Sequence, residues 1–185
     1  MKKIYNKLCA IAFALLGATS LSAQDWTAPA IGVDLSTASS SDELYMYNLK
    51  ADAFACSGMA WGTHAIVKEL QNGDTKLSAD VHRCRVELPT SGQVKILLNE
   101  RTYLGGNFAN NDCWVDFGSN NTFTYTKVSA TDNIYTLQTG EAFLDVSWAH
   151  GGHITLGTNG YGNTEWAFIR RTDITNGKYV LYKAK

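Results

Sequence analysis

The feature that most limits the fold is a series of short stretches in which apolar residues fall at every second position. Cys84 and Val86, Phe123 and Tyr125, and Trp166 and Phe168 are such pairs. Period two puts both members on one face of a strand, whereas an amphipathic helix needs spacings of three and four. Residues 44–47, 93–98, 134–137 and 179–182 have the same texture. Gly, Asn, Asp and Ser separate the stretches, and Asn72-Gly73, Asn159-Gly160 and Asn176-Gly177 are among the separators. Such dipeptides favour tight hairpin turns. Only residues 65–71 have room for a helical turn or two, which Gly73 would end. The expectation is an all-β sandwich or barrel.

The stretches recur. Opening pairs Phe54-Ala55, Tyr103-Leu104 and Phe143-Leu144 alternate along the chain with the closing pairs at 84, 123 and 166. Successive copies stand about forty to fifty residues apart, and another alternating run follows each closing pair near Val94, Ile134 or Tyr179. A unit of that size cannot bury its apolar face alone, so neighbouring copies must share a core. Three such units fill residues 43–185, which leaves too little chain for the about four to eight blades of a propeller.

Residues 1–23 stand apart. Lys2, Lys3 and Lys7 precede or flank an apolar run at 8–16, and Leu21-Ser22-Ala23 supplies the small residues of a cleavage site. The run is too short to span a membrane as a helix, and the pattern is that of a secretory signal peptide. Export and cleavage near Ala23 are expected, to a secreted, periplasmic or cell-surface location. Residues 24–42, rich in Ala, Ser and Thr, read as a leader or linker with a short strand at 33–35, and 43–185 as the folded domain. The formal net charge is −1; the first 23 residues hold three lysines and no acid, so their removal leaves about −4. That balance argues against nucleic acid or an anionic membrane as partner, and no later apolar run approaches spanning length. Cys56, Cys84 and Cys113 remain after cleavage. In an oxidising compartment an odd count leaves at least one thiol over, and the spacing does not fix a pairing.

The third unit is the richest. It runs Phe143-Leu144-Asp145-Val146, then Gly151-Gly152-His153-Ile154-Thr155-Leu156, then Asn163-Thr164-Glu165-Trp166-Ala167-Phe168. This order resembles the ricin-type (R-type lectin) β-trefoils, whose three repeats of about forty residues each end in a Gln-x-Trp motif. The resemblance spans roughly residues 43–185, with Thr164 standing where the family has Gln. It implies an all-β β-trefoil of three roughly forty-residue repeats and a secreted carbohydrate-binding module. It also implies that Asp145 and Asn163 bond sugar hydroxyls. Gly157 occupies the place of the family's stacking aromatic, so Trp148 or Tyr161 would serve from adjacent loops.

The chemistry supports those residue types independently. A pyranose offers vicinal hydroxyls to a carboxylate and an amide, and an apolar C–H face to an indole or phenol. The candidate ligand-binding residues are therefore Asp145, Trp148, Tyr161 and Asn163, with a glycan or glycoprotein as partner. In the other units Cys56 and Gly105 replace the acid. There is no Gly-x-Ser-x-Gly, phosphate loop or HExxH motif, so no enzyme and no cofactor are expected. His150-Gly151-Gly152-His153 is a poor metal pair without a third ligand. The competing reading is a protein-binding β-trefoil, a protease inhibitor or surface adhesin acting through loops 105–112 or 157–162.

Overall fold

A computed structural model describes residues 32–60, 64–68, 82–98, 102–106, 113–114, 116–117, 121–147, 151–158 and 162–175. Thirteen strands account for most of them. They are β1 (Leu44–Asn48), β2 (Ala53–Ala60), β3 (His64–Lys68), β4 (Arg83–Glu87), β5 (Gln93–Leu98), β6 (Thr102–Gly105) and β7 (Cys113–Trp114). Then follow β8 (Asp116–Phe117), β9 (Phe123–Lys127), β10 (Ile134–Thr139), β11 (Ala142–Ser147), β12 (His153–Gly157) and β13 (Trp166–Arg170). A 3-10 turn at Leu35–Thr37 and the short helix α1 (Arg171–Thr175) complete the elements.

Antiparallel pairing closes on itself. β1 pairs β13, β13 pairs β10, and β10 pairs β9. β9 then pairs β5, β5 pairs β4, and β4 returns to β1. Closure leaves these strands no open edge. The opening pairs found in the sequence begin the strands that leave this ring: Phe54 faces Tyr47, Tyr103 faces Leu97, and Phe143 faces Gln138. These strands then form hairpins, β2 with β3, β6 with β8 and β11 with β12. β12 also reaches β3 and β7, so the hairpins meet each other as a cap.

Period-two alternation fills the barrel. Each ring strand sends buried residues inward: Met46, Val86, Ile96, Phe123, Leu137 and Phe168 all lie in one cluster. From the hairpins, Val67, Leu104, Leu144, Val146, Ile154 and Leu156 join the same cluster. Trp166 is fully buried, and its indole N–H donates to the Leu144 carbonyl at 2.9 Å. That bond removes the cost of burying an indole N–H unpaired.

Two local expectations turn out differently. Residues 64–68 form β3, not a helical turn, because Ala65 and Val67 face the core with period two. The segment around 33–35 is a 3-10 turn rather than a strand; Asp34 caps it by accepting the Ser36 N–H. Val33 and Leu35 are core residues: the Val33 N–H donates to Phe168 O at 2.7 Å and the Leu35 N–H to Tyr135 Oη at 3.0 Å. The strand that partners β13 is β1, from the far end of the chain. The run at 179–182 and the Asn-Gly turns at 72–73, 159–160 and 176–177 lie outside the described residues.

Candidate functional site

The β11–β12 hairpin builds one wall. Its register sets Leu144 opposite Leu156, Asp145 opposite Thr155 and Val146 opposite Ile154. Gly151 and Gly152 close the turn with φ of +70° and +78°, a region where a side chain is disfavoured. Leu144 and Val146 point into the core, which turns Asp145 to the opposite face of the strand. That face is covered too, because Asp145 is fully buried.

A buried carboxylate needs hydrogen-bond donors, and the segment before β13 supplies them. Asp145 Oδ1 accepts the Val146 N–H and the Asn163 N–H, each at 2.7 Å. Oδ2 accepts the Gly162 N–H at 3.1 Å. Gly162 has a φ of +76°, which bends the chain so that consecutive N–H groups converge on the one carboxylate. Asn163 Nδ2 donates back to Val146 O at 2.7 Å. Asp145 and Asn163, eighteen residues apart in sequence, thus meet at one place. Asn163 keeps 8% of its surface exposed, and among the described residues its Oδ1 accepts no hydrogen bond.

A third participant was not legible in the sequence. Asn48, at the end of β1, is fully buried; its Nδ2 donates to Asn163 O at 2.6 Å and its Oδ1 accepts the Ala51 N–H at 2.8 Å. The signal that points to it is topological, since β1 is the strand that pairs with β13. Gly157, where the family's ring would stand, ends β12 opposite Phe143 and is buried. Trp148 and Tyr161 lie outside the described residues.

No family model matches the sequence, and no curated protein does. Solved structures are similar. The designed threefold-symmetric protein ThreeFoil aligns with a TM-score of 0.52 at 15% identity, over 69% of this chain and 97% of its own. A ricin B-like lectin of Macrolepiota procera, solved with lactose, gives 0.53 at 16% identity, over 71% and 97%. The fold is a β-trefoil. Cry35Ab1 aligns at a TM-score of 0.50 and 15% identity over 72% of this chain, which spans only 36% of Cry35Ab1.

Other candidate chemistry is sparse among the described residues. Among the described residues no three of His, Cys, Asp and Glu gather as metal ligands. No described helix is long and apolar enough to cross a membrane. Cys84 is a buried free thiol whose pKa burial pushes far up, which keeps it protonated and unreactive. The surface ion pairs are structural in placement: Glu43 joins Arg83 at 3.2 Å and Arg171 at 3.1 Å across β1, β4 and α1. The bond from Arg171, then that from Arg83, holds the Glu43 carboxyl below its usual range.

Proposed function

We propose that the protein is a secreted, non-catalytic carbohydrate-binding module whose site lies in the third unit. The observation that carries this reading is the convergence of Asp145 and Asn163. The carboxylate shapes the loop, and the Asn163 amide oxygen, which accepts no hydrogen bond among the described residues, is the acceptor for a sugar hydroxyl. Tyr161, next to Gly162 in sequence, and Trp148, just after β11, are the aromatic residue types on which a pyranose face would stack. Three units of roughly forty residues (44–87, 93–127 and 134–170) would each contribute two ring strands and one hairpin, and the recurring pairings support this. Residues 1–23 are read as the signal peptide that exports the module.

A shallow single site gives weak affinity, raised by clustering. The test is a glycan array on the purified chain and on Asn163→Ala, with both shown by circular dichroism to melt alike. Binding that the variant loses supports the module.

One observation favours the protein-binding reading. Both Asp145 oxygens already accept main-chain N–H groups, and the side chain has no exposed surface, so the acid is not offered to a ligand. Silence across the array, followed by capture of a defined protein through loops 105–112 or 157–162, would support that reading instead.

A further inference from the structure

The loop that carries Asn163 is held from the opposite end of the chain. The turn between β1 and β2 makes a run of contacts with residues 162–165. Asn48 Nδ2 reaches Asn163 O at 2.6 Å, the Leu49 N–H reaches Glu165 O at 3.0 Å, and Lys50 Nζ reaches Gly162 O at 3.1 Å. The peptide group joining Gly162 to Asn163 is therefore gripped at both ends. Its N–H points at the buried Asp145 carboxylate at 2.7 Å and its C=O at the Lys50 ammonium. An anion at the N–H and a cation at the C=O polarise the group in the same sense and strengthen both bonds. Gly162 admits this approach, because a Cβ there would stand 3.3 Å from Lys50 Nζ.

Resting on the carbohydrate reading above, we propose that the first unit completes the site and that Lys50 makes the preferred ligand an acidic sugar, one that bears a carboxylate. Asp145 has spent its charge on main-chain N–H groups and is buried. Two of the polar functions at this spot carry the preference, beside the half-buried Thr164 and Glu165 side chains. One is the Asn163 amide oxygen, which accepts from a hydroxyl; the other is the exposed Lys50 ammonium, with one of its three N–H donors used. A neutral hexose satisfies the first alone. A uronic acid or another carboxylated sugar satisfies both, the second with a charge-assisted bond. Asn48 is a positioning residue: it fixes the Asn163 carbonyl and touches no ligand.

The test is titration calorimetry of the full purified chain with matched oligosaccharides, neutral and uronic, at low and physiological salt. The acidic member is expected to bind about fivefold more tightly, the fold-change given by about 1 kcal/mol of exposed ion pairing. That advantage should shrink as salt rises. Lys50→Gln should abolish the preference and Lys50→Arg should retain it, each measured at a temperature where circular dichroism shows the variant folded. Equal affinity for the two sugars, or a preference that survives Lys50→Gln, would overturn the proposal while leaving carbohydrate binding intact. Absence of binding to either sugar would instead refute the carbohydrate reading, and this proposal with it.

Discussion

Replacing Asp145 separates a structural carboxylate from a ligand-facing one. Three main-chain N–H groups bond it, two at 2.7 Å and one at 3.1 Å, in a fully buried setting. Hydrogen bonds to a charged group each contribute about 1.5–3 kcal/mol. Asp145→Ala strands all three donors. Gly162 lies at the surface and regains water, so the expected loss is about 4 kcal/mol rather than the full sum. For a chain of this size that lowers Tm by roughly 8–16 °C. Asp145→Asn keeps one oxygen for the two short bonds and sets an NH2 group against the Gly162 N–H, a loss of about 2 kcal/mol. Urea denaturation of the three proteins at neutral pH measures both values. If Asp145→Ala cost less than about 1 kcal/mol, the carboxylate would not organise the loop, and the account of how Asn163 is presented would fail.

Further consequences can be checked on the same material. Leu35→Ala should cost about 2–5 kcal/mol in denaturant unfolding, because Leu35 is a fully buried core residue. Burial pushes the Tyr135 pKa up to about 12, so its stabilising contribution is present below pH ~10, the value for a free tyrosine, and is lost as pH rises through about 12. Tyr135→Phe should flatten that alkaline fall, measured as Tm against pH. Asp34, held below the usual carboxylate range first by the Ser36 hydroxyl, should stabilise the 3-10 turn above pH ~4 and release it as pH falls further. Proton exchange at the Ser36 amide reports the change. Cys84 should resist a thiol reagent in the native protein and react once urea unfolds it.

Alternation and turn residues made the strands legible. The repeated pairs mark strand starts: Phe54, Tyr103 and Phe143 open the strands that leave the ring, and Phe123 and Trp166 begin strands that stay in it. Closure was harder to read, because β13 pairs with β1 across the whole domain and no local signal names a partner that far away. The same distance hid Asn48 and Lys50, which touch residues 115 and 112 positions later. Val33 and Leu35 were hidden by composition: two apolar residues among Ala, Ser and Thr look like a tether until the barrel shows what they cover. Asp145 and Asn163 could be picked out by residue type. Only three-dimensional packing reveals that the carboxylate faces main-chain N–H groups while the amide oxygen accepts no hydrogen bond among the described residues.

The most direct test of the account is an amide-resolved NMR titration of the purified chain with the best glycan from the array. The account predicts saturable shifts at Gly162 and Asn163, at the Trp148 indole and Tyr161, and at Lys50 in the facing turn, with the rest of the barrel unmoved. Shifts confined to another part of the surface, or none with any glycan, would contradict it.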